Sequence, residues 1–157
     1  IYLMPEKNSK ILAQNRKARY NFEILDTLEA GIILTGSEVK SLRSSKVNIT
    51  DTYAASEKDE ILIHNLHIDE YKNSSQLKHN PRRIKKLLLH KREIKKIQGL
   101  VDQKGLTIIP LKIYFNRTGI AKLQIAIARG KKIFDKRETE KQRDWDRSKQ
   151  RLMKNNL

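Results

Sequence analysis

Between Leu106 and Ala128 the chain alternates apolar and polar residues on both sides of a short break, a pattern that commits this stretch to an antiparallel hairpin. In the first arm Leu111, Ile113 and Phe115 alternate with Lys112 and Tyr114. In the second, Leu123, Ile125 and Ile127 alternate with Lys122, Gln124 and Ala126. Asn116-Arg117-Thr118-Gly119 supplies a four-residue loop between them. Pro110 has no N–H to give to a strand ladder, which predicts an edge or a bulge at that point.

The upstream sequence offers partner strands. Tyr20, Phe22 and Ile24 alternate with Asn21 and Glu23, and a second strand is expected over Leu28 to Leu34, with Gly31 marking a bulge or a close backbone approach. Two more are expected over Asp51 to Ser56 and Glu60 to Ile68, joined by Glu57-Lys58-Asp59. Thr35-Gly36-Ser37-Glu38 has the spacing of a capping box and predicts a short helix from about Ser37 to Arg43. Ile94, Ile97, Leu100 and Val101 recur at helical spacing, with Gly105 placed to end a helix running from about His90 to Lys104. Tyr71 to Pro81 reads as an exposed loop. The expected fold is mainly β: a small closed antiparallel barrel of the oligonucleotide-binding type with two or three short helices. Its boundaries are residues 14–132, after a loose lead-in over residues 1–13 and before a flexible basic C-terminal tail over residues 133–157.

That tail has 11 Lys/Arg against 5 Asp/Glu when counted from Arg129, and few apolar residues. Such a segment cannot bury enough surface to offset the entropy of ordering it, so it is expected to be disordered alone. Its composition nevertheless tolerates helix, which a partner could induce over about Asp135 to Met153.

Charge narrows the function. The 157 residues carry a formal net charge of +16, which calls for a polyanionic partner, nucleic acid first. The densest basic run is Arg82, Arg83, Lys85 and Lys86, continued by Lys91, Arg92, Lys95 and Lys96; Arg129, Lys131 and Lys132 form a second cluster. The competing reading of such runs is a merely solvated surface. No apolar run approaches the roughly 20 residues of a membrane span. Cysteine is absent, which removes disulfides, iron–sulfur clusters and Cys-based zinc sites, and agrees with a reducing cytoplasm. His64 and His67 are favoured as ordinary polar residues over metal ligands, since odd spacing in one strand would send them to opposite faces. No nucleophile elbow, phosphate-cradling glycine loop or carboxylate pair suggests an enzyme, and no cofactor is expected. Trp145 could stack on a base.

Several separated motifs, in order, carry a resemblance: Leu28-Glu29-Ala30-Gly31-Ile32 with Gly36-Ser37-Glu38-Val39-Lys40-Ser41-Leu42-Arg43, then Lys86-Leu87-Leu88-Leu89-His90-Lys91-Arg92-Glu93, then Ala128-Arg129-Gly130-Lys131-Lys132 and Asp135-Lys136-Arg137-Glu138. The sequence from about Asn15 onward closely resembles the bacterial SsrA-binding protein family, small protein B (SmpB). The resemblance implies an oligonucleotide-binding-type barrel that holds the tRNA-like domain of transfer-messenger RNA (tmRNA) and delivers it to stalled ribosomes in trans-translation. It implies that Glu29, Leu88, His90 and Lys122 belong to the surface that receives tmRNA, and that Arg129, Gly130 and Lys131 form a basic turn into the tail. It implies that Phe134, Asp135, Lys136 and Arg137 enter the decoding centre, and that Trp145, Leu152 and Met153 lie in a helix bound in the empty mRNA channel. A monomer acting with elongation factor Tu and alanyl-tmRNA would follow. Two positions depart from the common pattern: Phe134 replaces a frequent His, and His90 stands where some members carry Asn. The rival expectation is a ribosomal or ribosome-assembly protein that binds ribosomal RNA.

Overall fold

The computed structural model describes residues 10–44, 46–70, 80–131 and 133–155. The expected hairpin is its centre: β8 (Thr107–Phe115) pairs antiparallel with β9 (Ala121–Gly130) from Thr107↔Ala128 to Phe115↔Ala121. Asn116 builds the turn. Its side-chain oxygen accepts from the backbone N–H groups of Thr118 at 3.1 Å and Ile120 at 2.9 Å, while Gly119 takes a φ of +79°. The register shifts between Pro110 and Lys112, so proline sits at a bulge; β8 is not an edge strand, because both its sides are paired.

Around it run β2 (Phe22–Ile32), β4 (Tyr53–Glu57), β5 (Glu60–His64) and β7 (Lys85–Leu88). The antiparallel pairings β8–β4, β4–β5, β5–β7, β7–β2, β2–β9 and β9–β8 return to their start, so the sheet closes on itself. Closure removes the open edges that a flat sheet would expose. The fold is the mainly β, OB-like architecture. The β4–β5 connection turns on Lys58 and Asp59, both at positive φ as a tight hairpin requires.

The inward-facing alternate residues fill the barrel: Ala30, Ile61, Ile63, Leu87, Ile108, Ile113, Leu123, Ile125 and Ile127. Two helices add to this core. From α2 (Gly36–Arg43) comes Leu42, and from α3 (Lys91–Lys104) come Ile97, Ile94, Leu100 and Val101. The capping box predicted at Thr35 is formed, with the Glu38 carboxylate accepting from the Thr35 N–H at 2.9 Å; Gly105 ends α3 at a φ of +60°.

Four expectations are corrected. The lead-in does not extend to residue 13, because β1 (Lys10–Gln14) pairs with the distal half of β8 from Lys10↔Phe115 to Gln14↔Lys112. Tyr20 lies in a short helix, α1 (Ala18–Asn21), and the two strands expected over Tyr20 to Ile24 and Leu28 to Leu34 are one strand, β2, with a bulge between Ile24 and Asp26. The extra residue reverses which face the side chains take. Phe22 and Ile24 therefore pack outside the barrel with Ala18, Ile109, Leu111, Ala126 and Ala128, while Leu28, Ala30 and Ile32 pack inside. Third, β7 was hidden in the basic run. Fourth, the stretch Glu60 to Ile68 is broken at Asn65, whose φ is +62°, into β5 and a separate β6 (His67–Ile68) that pairs with β3 (Val47–Asn48). Residues 71–79 of the expected loop, His79 among them, lie outside the described residues. Beyond the barrel, α4 (Ile133–Asn155) has 23 residues, about 34 Å at 1.5 Å per residue.

Candidate nucleic-acid interface

The basic run around β7 divides by the direction its side chains take. In a strand successive side chains alternate, so Lys85 and Leu87 turn inward while Lys86 and Leu88 turn out. Lys85 is fully buried and cannot reach an RNA phosphate, which removes it from the candidate RNA-binding residues. Its ammonium group donates to the carbonyls of Arg83 at 2.7 Å and Leu66 at 3.1 Å, and lies 3.4 Å from the Glu38 carboxylate. Glu38 is equally buried and also receives Arg83, whose Nη2 and Nε lie 2.6 and 3.2 Å away. Burial works to raise the Glu38 pKa, but the bonds from Arg83 and Thr35 and the nearby positive charges outweigh it and hold the carboxyl below its ordinary value. Burial lowers the Lys85 pKa, with the Glu38 charge opposing. The triad ties α2 to the start of β7.

Of the outward residues, Lys86 pairs with Glu60 at 2.9 Å, whereas Arg82 and Lys91 carry no ion pair among the described residues. His90 is exposed at the start of α3, where its N–H donates to Glu93 at 3.0 Å.

The barrel's β7–β2–β9–β8 surface holds the other candidates. Leu88 pairs with Gly31, Gly31 with Lys122, Glu29 with Gln124, and Lys122 with Tyr114. Gly31 is favoured here by crowding. A Cβ on it would stand 3.1 Å from the Cβ of Leu88. Leu88 itself is 53% exposed, a large apolar side chain offered to solvent beside cations. The Tyr114 hydroxyl donates to Glu29, and the Lys112 ammonium lies 5.4 Å from the centre of the Tyr114 ring. Glu29 thus has one carboxylate oxygen engaged by tyrosine, and it can accept from a base N–H or a ribose hydroxyl with the other.

The way into the tail is pinned to α1. Gly130 pairs with Phe22, the Lys131 N–H donates to the Asn21 carbonyl at 2.9 Å, and the Lys131 ammonium donates to the Arg19 carbonyl at 2.9 Å. Arg129 lies 3.7 Å from Glu23.

The sequence profile described as "SmpB protein" matches residues 12–155. The chain belongs to the SmpB family. An SsrA-binding protein of Agrobacterium fabrum is 56% identical over 148 residues, covering 94% of this chain and 92% of its own length. One from Allorhizobium ampelinum is 57% identical over 146 residues, covering 93% and 92%, and one from Wolbachia pipientis is 53% identical over 148 residues, covering 94% and 99%. A chain from a solved structure described as "tmRNA-SmpB: a journey to the center of the bacterial ribosome" matches with a TM-score of 0.64 and 52% identity, covering 77% of this chain and 85% of that one.

Within this family member the tail is the helix α4. Its Trp145, Leu152 and Met153 are 64–65% exposed, and Arg137 is exposed as well. Phe134, Asp135 and Lys136 fall in its first turn, with side chains outside the described set, and Lys132 lies wholly outside it. α1 and α4 are joined through Tyr20, whose hydroxyl donates to Glu140 at 2.7 Å, with the Arg143 guanidinium 5.8 Å from the Tyr20 ring centre. The first cause of a raised Tyr20 pKa is this bond to Glu140.

His64 and His67 fall in different strands, so their separation is not a question of strand faces. His64 stacks on Tyr53 with ring centres 5.1 Å apart, and His67 lies 3.2 Å from Asp69. Sequence reasoning missed Tyr114 as a site residue. Its outward position in the strongest alternation of the chain was the available signal; its partner Glu29, 85 positions away, was not. No helix among the described residues is long and apolar enough to cross a membrane.

Proposed function

We propose that the protein binds the tRNA-like domain of tmRNA through the Glu29–Leu88–His90–Lys122 surface and brings it to stalled ribosomes for trans-translation. The observation that supports this reading most directly is the kinship with SsrA-binding proteins over nearly the whole chain. The chemistry of the surface agrees with it. Lys122, Arg82 and Lys91 supply charge for phosphates, Leu88 supplies an apolar contact for a ribose or base face, and Glu29 accepts from base or ribose donors. All of this is binding work; the protein acts as a non-catalytic partner, as a monomer, alongside elongation factor Tu and alanyl-tmRNA.

In the same reading α4 enters the decoding centre and the empty mRNA channel. Arg129, Gly130, Lys131 and Lys132 form the turn that directs it, Phe134 to Arg137 meet the decoding centre, and Trp145, Leu152 and Met153 pack in the channel. A cationic helix about 34 Å long suits a tunnel walled by phosphates, and mRNA filling that tunnel would exclude it. Vacancy is then sensed by steric and electrostatic competition.

The test is binding of the full chain to the tRNA-like domain, against ordinary tRNA, over a range of salt, repeated with a chain ending at Lys132. Selective binding that survives truncation is expected. Weak, unselective binding that collapses with salt would favour the ribosomal-protein reading instead. Ribosomes whose mRNA extends far past the A site should react more slowly; equal rates would refute the role given to the tail.

A further inference from the structure

The surface assigned to tmRNA does not end at β9. On its far side, where β1 runs into α1, lies an open cleft of about 260 Å³. Gln14, Asn15, Arg16 and Arg19 line one wall; Leu111, Lys112 and Gln124 line the other. None of these is an acid, and three are cations. Among the described residues, neither arginine nor Lys112 is held by a carboxylate. This contrasts with Arg83, Lys85, Lys86, Lys96 and Arg129, each of which lies beside Glu or Asp.

The cleft is built by the backbone. Asn15 clamps the end of β1 onto β8, its N–H donating to the Leu111 carbonyl at 2.7 Å and its side-chain amide to the Pro110 carbonyl at 3.3 Å. The β8 bulge between Pro110 and Lys112 falls at the same place, and bulges characteristically re-aim a side chain. Three cations gathered in one half-enclosed space repel one another, an arrangement that an anion would relieve. The amides of Gln14 and Gln124 add neutral donors of the kind that phosphate oxygens accept.

We propose that this cleft is a phosphate-binding site that seats the sugar–phosphate backbone of the same tRNA-like domain, extending the interface from β9 across β8 to α1. The inference rests on the function proposed above. Continuity favours tmRNA as the source of the phosphate: Gln124 is in register with Glu29 on one side and with Lys112 on the other. Glu29 and Lys112 are therefore two strand spacings apart, about 10 Å, with Gln124 of the cleft between them. Lys112 stands at the border, touching both the cleft and the Tyr114 ring that abuts Glu29. Glu29 would accept from base or ribose donors while the cleft takes the backbone, which divides specificity from positioning in one footprint.

The experiment compares the full-length wild type, an Arg16→Gln/Arg19→Gln/Lys112→Gln variant, and a charge-matched control, Arg43→Gln/Lys46→Gln/Lys58→Gln, for binding the isolated tRNA-like domain from 50 to 200 mM salt. Each lost phosphate contact lowers the slope of log K against log salt by about 0.9, so two lost contacts make the variant about tenfold less salt-sensitive over that range. We expect that flattening for the cleft variant only, with selectivity over ordinary tRNA retained. An unchanged slope, or equal slopes for cleft variant and control, overturns the site. If the cleft variant binds the tRNA-like domain normally but loses affinity for empty-A-site ribosomes, or for an acidic peptide, the occupant assigned here is wrong. Should the triple variant fail to fold by circular dichroism, the single Arg19→Gln, at an exposed side chain, must lower the slope by about one. Failure of the wild type to select the tRNA-like domain would sink the underlying function instead, and so separates the two ideas.

Discussion

Replacing Glu38 by leucine would leave Lys85 as a buried cation with only two carbonyl partners, Leu66 and Arg83. Breaking a buried ion pair from one side costs about 3–5 kcal/mol, because the remaining charge is neither hydrated nor neutralised. Loss of the α2 capping box adds about 1 kcal/mol. At roughly 2–4 °C per kcal/mol for a chain of this size, the pair loss alone should lower Tm by about 6–20 °C. Lys85→Met should be milder, since Arg83 still neutralises Glu38 through bonds of 2.6 and 3.2 Å. The double variant Glu38→Leu/Lys85→Met should recover most of the loss, because no buried ammonium remains; a coupling of several kcal/mol is expected. Urea unfolding of the four proteins, with unchanged m-values, measures it. Single variants costing under about 1 kcal/mol each and adding without coupling would refute the argument, for the triad would then be a solvated ion pair.

The remaining predictions concern pH, packing and the tail. Because the folded-state pKa of Glu38 is depressed, its contribution is fully present above its ordinary value of 4.5 and is lost as pH falls through the lower folded value. Acid unfolding of Glu38→Gln should therefore show a weaker pH dependence below about pH 4.5 than the wild type; identical profiles would contradict this. Gly31→Ala places a Cβ 3.1 Å from that of Leu88, so β2 and β7 must separate slightly. We expect a stability loss of about 1–3 kcal/mol together with weakened binding of the tRNA-like domain, whereas unaltered binding would place Leu88 outside the interface. Tyr20→Phe removes the hydroxyl that donates to Glu140. Spin-label distances between the barrel and the end of α4 should broaden, and an unchanged distribution would mean that the strand-to-helix turn alone fixes the tail.

The sequence alone determined those features that local periodicity and turn chemistry control. The β8–β9 hairpin, the capped helix at Thr35 and the helix ended by Gly105 follow from alternation, helical spacing and a glycine at positive φ. The missing N–H of Pro110 left an edge or a bulge open until the pairing of β8 on both sides decided for the bulge. The ordered motifs also carried the family, since Glu29, Leu88, His90 and Lys122 can be matched without coordinates. Tertiary structure decided what depends on partners distant in the chain. Lys85 looks like one more surface cation, and only Glu38, far away on α2, explains why it is buried in a strand whose sequence, Lys85-Lys86-Leu87-Leu88, does not alternate apolar with polar residues. The β2 bulge at Ile24-Leu25-Asp26 reversed two faces, and one extra residue is invisible until the register of β9 is known. Arg16 and Arg19 fall in no recognisable motif of the sequence. They form a cleft with Lys112 only because β1 closes against β8, a pairing about 100 residues apart that no local pattern encodes.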